Sequence, residues 1–458
     1  MIRSRRNAAA PINRFPPEIL ASLPDFFGPN YPNGDQDVIA LTHVCQAWRL
    51  VFVSRSALWA DIECENTDKT LVYLERSRSF PVNLSLHRNH NLSPHDYFIQ
   101  SIPRVIGRLK SIYIHGTPEN LQGIADHLTH PAPTLHDVSI IGGCDIGPED
   151  IPVLTSALFG GDLSSLRKLS LEHVRTELHW RNMVRLTSLR LLNTSPVSMR
   201  QLLDFLESAP HLREVELCFE TPTTGTQNGR LVSLACLKSM RIWGRPSPVL
   251  LDHLLIPVGA DLTVTVDFPS STGRPFRFLE NLQNLHDFTT IELFSGSNPR
   301  MQFSGPNGEI CMIPENSHGD EIRLMLKSLS QFDTSKTERL EIDFGVYPSS
   351  YPLHLVLLPM ENLRTFKVSR CPIPRTLVDT LNPNKSSSRV VICPKLEDLV
   401  IEYKGTLDTN ELTGMTAARE SRGAKLNPVV CSQLPPPTPC RTPSARSMCF
   451  EMLRRGLR

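Results

Sequence analysis

Apolar side chains recur along most of the chain in the pattern apolar-x-x-apolar-x-apolar. Clear instances are Leu109/Ile112/Ile114, Leu135/Val138/Ile140, Leu166/Leu169/Leu171, Leu186/Leu189/Leu191, Leu212/Val215/Leu217, Leu237/Met240/Ile242, Leu363/Phe366/Val368 and Leu396/Leu399/Ile401. With 40% of residues apolar, such triplets also arise by chance, so phase decides. All eight begin with leucine, at successive spacings of 26, 31, 20, 26, 25, 126 and 33 residues. The long interval is close to five periods and holds weaker segments at Val264/Val266, Phe288/Ile291/Leu293, Ile310/Met312 and Leu340/Ile342; Leu84/Leu86 precedes the series. Thirteen strands result, one in about every 26 residues. Side chains alternate faces along a strand. The fourth and sixth positions of each unit therefore point together into an interior, and the third, fifth and seventh point outward. Between strands the spacing turns helical: Met199, Leu202, Leu203 and Leu206 follow the N-cap candidate Ser198, and Ile322, Leu326 and Leu329 follow Asp320. A unit this small cannot bury its apolar face alone, so neighbours must stack.

A period of 20 to 29 residues carrying L-x-x-L-x-L resembles leucine-rich repeats, here over residues 80–426. The resemblance implies an α/β solenoid, a horseshoe with parallel strands on its concave face. The family's Asn or Cys at the ninth position is met by Cys371 alone, which predicts irregular repeats. Proline, at 38 of 458 residues, punctuates their turns.

Residues 11–62 have another texture. PINRFPPEIL begins at Pro11, a Pro/Asn/Gly/Asp insert fills 28–37, and the chain resumes with VIALTHVCQAWRLVFVSRSALWADI. Pro16 and Pro17 suit a helix start, with Glu18 favourable in its first turn. Ile39, Leu41, Val44, Cys45, Trp48 and Val51 form one apolar stripe. The leading Phe15-Pro16-Pro17-Glu18-Ile19-Leu20, the central Val44-Cys45 with Ala47-Trp48-Arg49, and the closing Leu58-Trp59 together resemble an F-box, and more narrowly the F-box-like modules that precede leucine-rich repeats in basidiomycete fungal proteins. The fold class is thus α/β, a three-helix F-box module followed by an irregular leucine-rich-repeat solenoid. The resemblance implies docking on the adaptor subunit of an SCF-type cullin-RING ubiquitin ligase, with the repeats selecting a protein substrate. It carries adaptor contact onto Phe15, Pro16, Ile19, Leu20, Val44, Trp48, Leu58 and Trp59, against an alternative in which most of these, Trp48 above all, are internal core. A bundle of about 50 residues is marginal alone, so it leans on the first repeat or on a partner.

Charge narrows the partners. With 48 Lys+Arg against 47 Asp+Glu, no global surplus draws the chain to nucleic acid or an anionic membrane. The start of the chain is basic without the apolar core of a secretory signal, and no run is long enough to span a membrane, so a soluble protein of the cytoplasm, the nucleus or both is expected. The 11 cysteines are scattered without a CxxC pair, as befits small buried side chains in a reducing compartment. His87-x-x-His90 and His127-x-x-His130 lack the companions of a zinc site, and no P-loop, GxGxxG or GxSxG motif occurs. Neither metal, cofactor nor enzymatic activity is expected.

The outward strand positions remain as the functional surface. They include Tyr113, His115, Lys168, Glu172, Arg190, Glu216, Arg339, Glu341 and Lys367, and a substrate-binding strip is expected at Arg241, Trp243, Glu292 and Phe294, where aromatics stand among charges. The reading in competition is a repeat scaffold that engages no ubiquitin ligase. At the ends of the chain, residues 1–10 read as disordered. Leu407 to Leu426 resembles the terminal helix of the same fungal repeat proteins, with Asp408 or Thr409 as its N-cap and Gly423 near its stop. Residues 427–458 read as a Pro-rich disordered tail, or as a polyproline II segment at LPPPTP.

Overall fold

The computed structural model describes residues 10–23, 34–64, 66–87, 95–143, 151–177, 183–194, 198–218, 230–244, 247–266, 287–295, 298–314, 321–344, 352–385, 390–403 and 406–434. The N-terminal segment before Ala10, positions 28–33 of the insert, His90 and the tail from Pro435 lie outside them. The described chain forms two compact units. One holds the residues up to Val266 with 307–310, the other 287–306 and the residues from Cys311 onward.

The first unit opens on a helical module. A 3-10 turn at Pro11–Arg14 is followed by α1 (Pro17–Ala21), α2 (Gly34–His43), α3 (Gln46–Ser54) and a second 3-10 turn at Ser56–Trp59. Pro17 starts α1 without loss, because the first N–H groups of a helix have no acceptor within it. Leu20, Trp48 and Phe52 form the buried centre, with Leu23, Leu41, Cys45, Val51 and Leu58 packed around them. Trp59 joins this module to the first repeat. It is fully buried, its indole N–H donates to the Phe52 carbonyl at 2.9 Å, and its ring meets Tyr73 edge-on at 4.9 Å beneath the Arg76 guanidinium at 4.3 Å. Tyr73 and Arg76 belong to α4 (Thr67–Ser77). The small bundle thus completes its core on that repeat.

Strand β1 (Asp61–Glu63) pairs with β2 (Val82–His87), so the expected module boundary at 62 falls inside a strand that the repeat pattern does not announce. There follow β3 (Leu109–Gly116), β4 (Asp137–Gly142), β5 (Lys168–Glu172), β6 (Ser188–Leu192), β7 (Glu214–Cys218), β8 (Ser239–Trp243) and β9 (Asp261–Val266). Each pairs in parallel with the next, and the register sets Ile112, Val138, Leu169, Leu189, Val215 and Met240 in one row. All six are buried, as the phase of the pattern requires. At β9 the register matches Leu262 to Met240 and Val264 to Ile242. The repeat core there is Leu262/Val264, two residues before the expected Val264/Val266; Val266 is also buried, so apolar alternation alone does not mark where the unit starts. Helix α5 (Met199–Ser208) has the expected N-cap, a capping box between Ser198 and Gln201, and buries Met199, Leu202, Leu203 and Leu206. The irregular repeats carry a short polar ladder just past their strands: Cys218 Sγ lies 3.3 Å from Asn193 Oδ1, and Asn193 Nδ2 lies 3.4 Å from His173 Nε2. Gly142 ends β4, and a Cβ there would stand 2.6 Å from the His173 carbonyl oxygen, a close approach only glycine permits.

In the second unit β10 (Thr290–Phe294) pairs antiparallel with β11 (Arg300–Gly305) and parallel with β13 (Arg339–Asp343). The Ile310/Met312 segment does form a strand, β12 (Gly308–Pro314), whose first three residues count with the first unit. It is not the expected repeat between β10 and β13, because those two pair directly. An antiparallel partner needs only a short connection, which a search at a 26-residue period passes over. Beyond β13, which follows helix α6 (Glu321–Ser328), the strands β14 (Thr365–Cys371), β15 (Asp398–Tyr403) and β16 (Val430–Gln433) add in parallel order, alternating with helices that include α7 (Pro374–Leu381) and α8 (Thr409–Glu420). Asp408 caps α8, accepting from the Asn410 N–H at 2.8 Å, and Gly423 follows at φ +81°. Strand β16 corrects the expected tail: Val430–Gln433 extend the sheet, and the Asn427 N–H donates to the Glu397 carbonyl at 2.8 Å. Arg419 of α8 is wholly buried and donates to the carbonyls of Ile392 and Cys393, each at 2.7 Å.

Candidate binding surfaces

The eight side chains expected to meet an adaptor divide by burial. Phe15, Ile19 and Val44 are 53%, 51% and 53% exposed, and Pro16 is exposed beside them. Leu20, Trp48 and Trp59 are interior, and Leu58 is half-buried against the same core. The three interior residues are therefore corrected from contact residues to framework, since a partner could reach them only by unfolding the module. The division follows from helix geometry: Ile19 and Leu20 are neighbours in sequence and so point about 100° apart, and only one can face α3. The indole N–H of Trp48 donates to Asn13 Oδ1 at 2.5 Å, which fixes the turn preceding Phe15 against α3.

On the first unit's sheet the outward row through the strand centres runs Tyr113, Ser139, Ser170, Arg190, Glu216, Arg241. The row beside it contains Ser111, Asp137, Lys168, Ser188, Glu214 and Ser239. Serines are short, so they lower the floor between the longer side chains, and a groove of about 690 Å³ lies over both rows. Arg190 stands between Glu172 at 3.6 Å and Glu216 at 3.4 Å. Partial burial, then the Glu172 charge, push the Tyr113 hydroxyl above its ordinary range. Partial burial, then neighbouring His87, hold the His115 imidazole below its own. Arg241 is exposed and makes no ion pair among the described residues, and Trp243 is half-buried at the end of the same strand.

Glu292 and Phe294 lie on β10 of the second unit and are half-buried. The strip expected from sequence is therefore carried as two pairs, Arg241 with Trp243 and Glu292 with Phe294, each on its own unit. Phe294 is capped by the Arg300 guanidinium at 4.0 Å, from a hairpin strand absent from the repeat series. The neighbouring charges bind one another: Lys367 meets Glu341 at 2.7 Å, and Arg370 forks onto Asp343 with both bonds at 2.5 Å.

A second groove of about 630 Å³, lined by Arg167, Arg185, Arg213 and His211 among others, opens at the edge of the first unit's sheet where the strands begin. Sequence reasoning missed it, although a signal was present: the second position of the repeat pattern is Lys110, Arg167, Arg213 and Lys238 in four of the first unit's repeats. Among the described residues no group of three or more His, Cys, Asp or Glu is placed to hold a metal ion, and no helix is long and apolar enough to cross a membrane.

No family model matches the chain. No curated protein matches it. Among solved structures it is similar to TLR13 in a complex with ssRNA13, at 12% identity and a TM-score of 0.33 over 78% of this chain and 45% of that one. It is also similar to an internalin, InlF from Listeria monocytogenes str. 4b F2365, at 14% identity and a TM-score of 0.27 over 81% of this chain and 87% of that one. The chain thus spans less than half the length of the first. The repeat architecture rests on strand register and burial in each unit, not on these distant likenesses.

Proposed function

We propose that the chain is the substrate-recognition subunit of an SCF-type cullin-RING ubiquitin ligase. The helical module docks on the adaptor subunit and through it on the cullin, and the repeats bind a protein substrate. The observation that carries this reading is that Phe15, Pro16, Ile19 and Val44 stand exposed, as do Ile12 and Leu50, on a module whose buried core is Leu20, Trp48 and Phe52. Apolar side chains left in water on so small a bundle mark a contact surface. No bond is made or broken by such a subunit; it holds the substrate near the ligase's charged conjugating enzyme and raises its effective concentration there. Arg241 with Trp243 and Glu292 with Phe294 supply substrate contacts, each pair on its own unit.

The second reading, a repeat scaffold without a ligase, draws on the burial of Leu20, Trp48 and Trp59, which halves the expected docking set once half-buried Leu58 is also set aside. Co-purification with the adaptor decides. Capture by the wild-type chain that disappears in Pro16→Ala/Ile19→Ala supports the receptor, and absence of capture by a folded wild-type chain supports the scaffold.

A further inference from the structure

The edge of the first unit's sheet where its strands begin carries a line of positive charge. Backbone bonds run along it from His136 N–H to Lys110, Arg167 to His136, Thr187 to Arg167, Arg213 to Thr187 and Lys238 to Arg213, all at 2.7 to 2.8 Å. Lys110, Arg167, Arg213 and Lys238 therefore stand on one line across the repeats, with Lys168 and Arg185 beside it. All six are exposed, and among the described residues none of them makes an ion pair. Glu214 is the one carboxylate lining the groove over the middle of this line.

The fold does not demand these cations. In the second unit the same line, traced by the same bonds, reads Thr289, Glu338, Arg364, Glu397 and Asn427, and its Arg364 pairs with Glu397 at 3.7 Å. The position accepts either sign and also neutral side chains. A run of unpaired cations there is repulsive within the folded chain, so packing gives no reason for it.

We propose that this edge binds an extended acidic segment of a protein partner, with Asp and Glu carboxylates meeting Lys110, Arg167, Arg185, Arg213 and Lys238. Five intervals of about 4.8 Å separate the strands bearing Lys110 and Lys238, a reach of about 24 Å or about seven extended residues. Guanidinium groups bind carboxylates with paired hydrogen bonds, and charges spread along a line suit successive side chains better than one phosphate. A nucleic acid is disfavoured because its backbone charge is continuous, while Asp137, Glu172, Glu214 and Glu216 lie on the adjoining face; a peptide can place basic or neutral residues there. The inference rests on the substrate-receptor reading only in taking the partner to be the substrate.

The test is fluorescence anisotropy of the full chain with a labelled peptide of about ten residues, half of them Asp and Glu. Comparators are the same peptide with Asn and Gln, a neutral peptide carrying one phosphoserine, and a single-stranded RNA of equal length. The acidic peptide binds, and its affinity falls as salt rises. Arg167→Glu/Arg213→Glu weakens it by about tenfold or more, while Arg323→Glu in the second unit leaves it unchanged. The equivalent Glu338 and Glu397 show that the fold accepts glutamate on such a line; should the double variant melt early, Arg167→Gln/Arg213→Gln reads the same loss. No binding of the acidic peptide, equal binding by the folded double variant, or preference for the phosphopeptide or the RNA overturns the inference. Adaptor capture is read separately on the same samples. Lost peptide binding with capture intact removes this inference alone, and intact peptide binding without capture removes the ligase reading alone.

Discussion

The indole N–H of Trp48 donates to the side-chain oxygen of Asn13 at 2.5 Å, and this bond ties the module's core to the 3-10 turn that leads into Phe15 and then α1, where Ile19 lies. Asn13→Ala leaves a buried donor unsatisfied, at a cost of about 1–3 kcal/mol. The expected result is a lower melting temperature and adaptor capture reduced several-fold, although neither Phe15 nor Ile19 is altered. Asn13→Asp keeps the acceptor and restores both readings. Unchanged capture by Asn13→Ala would show that the turn holds its position without the bond.

Arg419 plays a comparable part at the other end of the described chain. Its guanidinium reaches the carbonyls of Ile392 and Cys393 from inside α8, and burial holds its pKa below the usual arginine range. Arg419→Met removes the charge and leaves those carbonyls without their donor, a loss of about 2–4 kcal/mol. Hydrogen exchange should accelerate in α8 and β16 first, with the first unit unaffected. Uniform acceleration throughout the chain would contradict a local role.

Much of the repeat array was legible because leucine at the first position fixes phase, and a single slip of register would turn every interior side chain outward. The features that escaped are those a period cannot hold. The antiparallel β11 needs only a short connection, and it brings Arg300 onto Phe294. The exposed strand β16 has no interior stripe at all, its four residues facing water. In the helical module the apolar stripe was visible, but which members face a partner and which fill the core depends on where α1 meets α3; Ile19 and Leu20 separate on that contact. The basic edge has no alternation to mark it: the repeat's second position stands at or just before the start of each strand, ahead of the alternating positions that define the outward face.

Burial also makes a prediction about thiol chemistry. It pushes the thiols of Cys64 and Cys393 up to about 12 and that of Cys371 up to about 11, while Cys236 and Cys431 are exposed. At pH 8 a thiol with a pKa of 12 is roughly one part in ten thousand thiolate. Alkylation of the native chain followed by peptide mapping should therefore modify Cys236 well before the three buried residues, which react only on unfolding. The sign of the linked effect is fixed. The folded state holds these protons where the unfolded state releases them, so their contribution to stability is lost as pH rises above about 9.

Ser170 lies on the floor of the first unit's groove, between Ser139 and Arg190 in the central row. Ser170→Trp fills that space from an outward position and should leave the melting temperature within a few degrees of wild type. Capture of protein partners through the first unit should fall by about tenfold or more. Full capture by the filled variant would place substrate binding elsewhere on the chain.

The central claim is that the helical module presents an adaptor-binding surface through Phe15, Pro16, Ile19 and Val44 while Leu20, Trp48 and Trp59 hold it together. Its most direct measurement is quantitative co-purification of the adaptor with the full chain and with Phe15→Asp/Ile19→Asp, each checked for folding by thermal unfolding. The account predicts that wild type retains the adaptor and that the variant loses it at an unchanged melting temperature. Equal retention by the folded variant, or none by wild type, would contradict it.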